Sequence, residues 1–176
     1  MTQTQKKKGF RLSLAATAVF TLGLVLVLSA CSANNSAGDG QNSAASASAS
    51  VEEGEDLVIP VSEISETAKF YSVKVDGTTM EVIAVKAPDG TIRTAFNTCQ
   101  VCYGSGKGYY KQSGNQLVCQ NCSNQFGMDR VEVEAGGCNP WPIFAENKTV
   151  ADESITITYD FLKESKNIFA NWKTSG

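Results

Sequence analysis

The stretch CQVCYGSGKGYYKQSGNQLVCQNC, Cys99 to Cys122, holds two Cys-x-x-Cys pairs with sixteen residues between them. Two cysteines separated by two residues of a tight turn can aim both sulfurs at one centre, and two such turns facing each other make a tetrahedron. The residues between the pairs supply the means of facing. Gly104, Gly106 and Gly108 loosen the chain after the first pair, and GYYKQSGNQLV has its own turn at Ser113-Gly114-Asn115. The spacing therefore predicts a hairpin that carries two thiol knuckles.

Three uses of four thiols remain open at this level. A structural zinc ribbon has this spacing. A single iron of the rubredoxin kind, or an iron–sulfur cluster, uses the same four thiolates. Disulfides are the third use, favoured by an exported address. Against them, a bridge inside a Cys-x-x-Cys closes a strained and reducible loop, which is usually redox-active rather than structural. Cys138, in GGCNPWP, adds a fifth sulfur. It reads either as a small buried residue or as a thiol beside the site, with Gly136-Gly137 permitting close backbone approach and Pro140 and Pro142 stiffening the segment after it. Trp141 is expected to cover the site. Met80 and Met128 are soft enough to ligate a metal but read as core. The aromatics Phe96, Tyr103, Tyr109, Tyr110 and Phe126 flank the thiols, mostly as packing, and would keep water away from a metal. The chain has no histidine, so Ser-His and Cys-His catalytic pairs are excluded. No catalytic residue is assigned.

Upstream of the cysteines the pattern is that of strands. DLVIPVSEI reads as a short extended segment. KFYSVKV and TMEVIAVK alternate around Asp76-Gly77, and TIRTAF comes after Pro88-Asp89-Gly90; such turns between alternating runs signal hairpins. Three antiparallel strands are expected, ending at Phe96. Downstream, DRVEVEAGG reads as a further strand, and Ser154 to Thr158 as another. Phe161, Leu162, Ser165, Ile168, Phe169 and Trp172 fall at helical spacing, as a core or docking stripe. The fold class expected is mainly β with some α: a small antiparallel sheet, a four-cysteine knuckle hairpin and a C-terminal helix. No internal repeat is evident beyond the doubled cysteine pair.

The N-terminal third is of another kind. Lys6, Lys7, Lys8 and Arg11 precede the uncharged run LSLAATAVFTLGLVLVLSA, Leu12 to Ala30, and then Cys31. Basic, apolar, then small residues is the layout of a secretory signal. LSAC is similar to the lipobox of bacterial lipoproteins, where the cysteine after the cut receives acyl chains that hold a domain to the membrane. An uncut single span is the alternative, since the run is about long enough to cross a bilayer. Ser32 to Asp56, rich in Ser, Ala, Gly and Asn, reads as a flexible tether. The expected organisation is a signal at residues 1–30, a tether at 31–56 and a Cys-rich domain at 57–176, anchored through Cys31 at the extracytoplasmic face of the cell membrane. Without the signal, Lys+Arg falls from 15 to 11 against 18 Asp+Glu, near −7, which argues against nucleic acid as a partner.

Several of these residues together carry a resemblance. Ala95-Phe96, Cys99, Cys102, Tyr103, Gly108-Tyr109, Cys119, Asn121, Cys122, Phe126 and Gly136 to Pro142 resemble the pattern of the FtrD-like membrane iron–sulfur-containing protein family, over about Leu57 to Phe144. The resemblance implies an iron–sulfur cluster or iron on Cys99, Cys102, Cys119 and Cys122 with Cys138 close by. It also implies an accessory metal-binding or electron-transfer role beside a membrane iron permease or a redox partner. Two residues depart from the pattern: Asn97 stands where Asp is often found, and Ser123 comes after Cys122 where Gly is usual. The multi-span part of some members has no counterpart here, so transport itself is expected of a partner.

Overall fold

A computed structural model describes residues 50–174. Cys31, the apolar run and most of the expected tether lie outside the described residues.

The central element is a strand with no wet face. Strand β4, Thr78–Lys86, is preceded by β3, Lys69–Val75, across the Asp76-Gly77 turn, and succeeded by β5, Ile92–Cys99. Both turn residues have positive φ, 45° and 76°, which suits the tight hairpin connection that the sequence predicts. Pairing is antiparallel on both sides, with Val73 opposite Met80 and Val82 opposite Phe96. Alternate residues of β4 serve two different cores. Met80, Val82 and Ala84 pack with Leu57, Ile59, Tyr71, Val73 and Phe96. Ile83 and Val85 pack on the opposite side with Ala95, Leu117, Phe126 and the cysteines Cys99, Cys102 and Cys119. A strand covered on both faces reads as a nearly continuous apolar run, as MEVIAV does. Met80 and Met128 are both buried, as expected of core residues.

Two small sheets close the two faces. On the first, β2 (Leu57–Pro60), β10 (Thr149–Val150) and β11 (Ser154–Ile157) form an antiparallel sheet in the order β10-β11-β2. Helix α1, Tyr159–Glu164, then caps this core; the Thr158 side chain accepts from Phe161 N at its start. The expected long helical stripe is split: α1 ends at Ser165, and Lys166–Phe169 continues as a 3₁₀ turn. Its apolar face still packs inward, with Phe161 and Phe169 against the Phe96 ring at 5.8 and 5.7 Å. On the second face, β6 (Tyr110–Ser113), β7 (Gln116–Cys119) and β8 (Gln125–Gly127) form the knuckle hairpin and its third strand. The fold is mainly β, with one short C-terminal helix, as the sequence predicts.

Other features differ from expectation. The main sheet gains two edge strands, β1 (Ser50–Val51) and β9 (Pro140–Pro142), giving five in the order β1-β3-β4-β5-β9. Strand β1, Ser50–Val51, lies within the stretch read as tether and runs parallel to β3. Strand β9, Pro140–Pro142, is the other edge, where prolines do least harm to a ladder. DRVEVEAGG is not a strand. Met128–Arg130 is a 3₁₀ turn, and Glu132 has φ of 66°. The Glu132 carboxylate turns inward instead, accepting from Thr94 N at 2.9 Å and pairing with Lys148 Nζ. Val133 is left 61% exposed, while Arg130 and Glu134 pair across the bend. Alternating V-E-V-E fits a strand by period, but here tertiary hydrogen bonds to one Glu override it.

The Lys148 side chain is 3% exposed and that of Glu132 17%. Removing one member of such a pair leaves the other charge stranded. Lys148→Ala is expected to lower unfolding free energy by about 2–3 kcal/mol, somewhat below the fully buried range, in denaturant titration.

Candidate metal centre

Each knuckle begins where a strand ends. Cys99 is the last residue of β5 and Cys119 the last of β7. In both places the strand delivers a buried first sulfur, and the adjoining turn brings a second. The first turn is fixed by Cys99 N to Gly108 O at 2.7 Å and by Ser105, whose N and Oγ both donate to Cys102 O at 2.9 and 2.7 Å. The second is fixed by Cys119 N to Asn124 O and Ser123 N to Cys119 O, both 2.9 Å. The turn amide of Cys102 points back at Cys99 Sγ, at 3.4 Å.

Side-chain bonds from Asn97 bring the knuckles face to face. Its Oδ1 accepts from Tyr110 N at 2.7 Å, and its Nδ2 donates to Tyr110 O at 3.3 Å. Tyr110 in turn is the ladder partner of Cys119. One amide side chain thus joins the strand bearing Cys99 to the hairpin bearing Cys119. Nδ2 also donates to Glu81 Oε1 at 2.6 Å, and Lys173 Nζ reaches Glu81 at 3.3 Å from the C-terminal segment.

The expected site residues do converge. The Sγ atoms of Cys99, Cys102 and Cys119 lie within 4.8 Å of one another, and so do those of Cys102, Cys122 and Cys138. Cys99, Cys102 and Cys119 are buried, Cys138 is half-buried and Cys122 is exposed. All five are free thiols. Trp141 meets Tyr103, the residue after Cys102, edge-on at 6.0 Å.

Their proton affinities diverge. Burial pushes Cys99 up, but the nearby Tyr110 hydroxyl dipole and the Cys102 and Val101 amides outweigh it, and the thiol falls below its ordinary value. Cys122 is lowered too, chiefly by the Asn124 amide. Burial raises Cys102, and pushes Cys119 up to about 12. Cys138 is pushed up to about 12, first by its bond with the Cys122 thiol, then by burial and by negative charge on its neighbours. Five thiols this close cannot all ionise alone, because each thiolate opposes the next; a cation at their centre removes that opposition. The donor set is therefore one that fits a thiophilic metal ion or cluster.

Some residues of the site lie outside the cysteine pattern. Gln100, between the first two cysteines, binds the GGCNP loop three times. Its N donates to Asn139 O at 3.0 Å, its Nε2 donates to Pro140 O at 3.1 Å, and its Oε1 accepts from Gly136 N at 2.9 Å. The Cys138 carbonyl accepts from the Tyr110 hydroxyl at 2.8 Å and from Asn124 Nδ2 at 3.0 Å. Nothing in the residue types of Gln100 or Asn124 announces these roles; their position in or beside the Cys-x-x-Cys turns is the only signal.

Three substitutions test this geometry. A Cβ on Gly108 would stand 2.3 Å from Cys102 O, so Gly108→Ala is expected to displace the first knuckle and lower stability by about 1–3 kcal/mol with reduced metal content, read by denaturation and elemental analysis. Ser123 holds φ of 61°, a strained region for any residue with a Cβ. Ser123→Gly is expected to keep the metal and gain up to about 1 kcal/mol. Asn97→Asp would set two carboxylates at hydrogen-bond distance, with Lys173 only partly offsetting them. A loss of about 1–3 kcal/mol at neutral pH is expected in denaturant titration.

No curated protein and no solved structure matches the chain. A family model described as "Membrane iron-sulfur containing protein FtrD-like" matches residues 64–169, which takes in both knuckles, the Cys138 loop and the helical segment past Phe144. Among the described residues no helix is long and apolar enough to cross a membrane. With five of its six cysteines gathered inside that match, the chain belongs to the FtrD-like membrane iron–sulfur-containing protein family.

Proposed function

We propose that the chain is a lipid-anchored, extracytoplasmic iron protein, with Cys99, Cys102, Cys119 and Cys122 as metal ligands and Cys138 as an adjoining fifth. On this reading it handles metal or electrons beside a membrane iron permease. The observation that carries the reading is the convergence of five free thiols, from three separate segments, on one place in a family described by its iron–sulfur content. Iron held by thiolates exchanges single electrons between its ferrous and ferric states.

The chain's own residues supply the setting for that chemistry. Cys99 and Cys119, fully buried at strand ends, would hold a metal ion or cluster on the side of the second core. Tyr110, Phe126 and Leu117, also buried, keep water from the inner side. The turn amide of Cys102 donates to Cys99 Sγ, which favours the charged sulfur over the thiol. The exposed Cys122 marks the side from which a partner could approach.

The anchor is a separate part of the proposal. It rests on Cys31 coming directly after small residues at the end of an apolar run. Labelled palmitate is expected to enter the wild-type chain in bacterial cells and not Cys31→Ser.

The metal is tested on protein purified without oxygen. Iron near or above one equivalent, with visible absorption that bleaches on reduction, is the expected result. Cys119→Ser should lose that iron and destabilise the domain together. Stoichiometric zinc without iron would instead make the site structural. A wild-type chain whose thiols react only after reductant would make it a disulfide redox protein.

A further inference from the structure

The two thiol triads share one corner. Cys102 belongs to both, while Cys99 and Cys119 lie on its buried side and Cys122 and Cys138 on its accessible side. We infer that the five thiols form two ion positions joined through the sulfur of Cys102: an inner one of Cys99, Cys102 and Cys119, and an outer, exchangeable one of Cys102, Cys122 and Cys138. This inference rests on the metal-binding reading above and deepens it.

Geometry gives the first argument. Thiolates bind zinc-sized divalent ions at about 2.3 Å, so two of them on one tetrahedral ion stand about 3.8 Å apart. Triads already within 4.8 Å close onto an ion with a small contraction. A thiolate has lone pairs enough to bridge two ions, and among the described residues Cys102 is the cysteine common to both triads.

The build of the Cys138 segment gives the second. With a single ion in four-fold coordination, Cys138 would be spare. Its segment is not built like a spare part. Five hydrogen bonds fasten residues 136–140 to Gln100, Tyr110 and Asn124. Gly136 and Gly137, at φ of 90° and 61°, make the reversal that brings Cys138 back to the knuckles.

Access gives the third. Three thiolates leave one tetrahedral position open. In the outer triad that position lies beside the exposed Cys122, so its ion can be taken up or surrendered without opening the core. The ligand class is a borderline or soft divalent cation, ferrous iron included. Uptake releases the thiol protons to water.

The test is native mass spectrometry of the reduced, metal-stripped full chain titrated with Cd2+. Two ions are expected per wild-type chain and one per Cys138→Ser chain, whose fold is checked by circular dichroism. One ion at saturation in wild type would overturn the inference and leave the metal-binding reading intact; none would overturn both. Two ions retained by Cys138→Ser, or none bound by a folded Cys138→Ser, would also overturn it. A second measurement needs no variant. A weak chelator should strip the doubly loaded wild type in two steps, one ion leaving at least tenfold faster than the other. Loss of both ions together would rule out an inner and an outer position.

Discussion

Asn97 is the joint on which the centre turns. A carboxamide presents one acceptor and one donor at nearly the spacing of a backbone peptide, so Asn97 binds Tyr110 as a ladder partner would. The main sheet and the knuckle hairpin are separate sheets, and this side chain takes the place of strand pairing between them. Gln112 of the hairpin assists, its Oε1 accepting from Ala68 N at 2.7 Å. The facing of the two knuckles depends on these bonds. Asn97 is buried, so each of its polar atoms needs a partner, and the surroundings supply them: Tyr110 above and Glu81 beside. The C-terminal segment completes the arrangement, with Trp172 Nε1 donating to Asn97 O at 2.7 Å and Lys173 lying over the Trp172 and Tyr109 rings.

The parts of this structure that are legible in the sequence are those set by local chemistry. Asp76-Gly77 and Gly114-Asn115 name their turns because few residues accept the dihedrals that tight hairpins need. Alternation in β3 and β4 fixes which residues share a face, since the period of a strand is two. The Cys-x-x-Cys pairs announce their chemistry because few other residues do what thiols do. The parts that escape are set by distant partners. VEVEA has the period of a strand, yet Glu132 leaves it to meet Thr94 and Lys148, 38 and 16 residues away. PWP has too few donors to be read as a strand, and becomes one only because β5 offers an open edge. Ser50-Val51 sits in a polar tract whose composition gives no hint of pairing with β3.

The departures from the family pattern acquire physical meaning in the same way. Asn97 faces Glu81, and an amide can donate to a carboxylate where an acid at neutral pH cannot. Ser123 occupies a left-handed turn that glycine would occupy without cost, and it keeps the amide bond to Cys119 O nonetheless. Neither change touches a sulfur directly. Both adjust how firmly the sulfurs are held.

Strand β4 stands as a party wall between two rooms, one with no cysteine among its buried residues and the other with three. The first room needs nothing from outside to stay shut. The sulfur room, crowded with thiols that repel one another once ionised, needs a guest. A chain without a metal is therefore expected to loosen first on the side of Ile83 and Val85, and only later on the side of Met80 and Val82. A protease would then find the cysteine-lined half before it finds the other, so limited cutting would report whether the thiols are occupied.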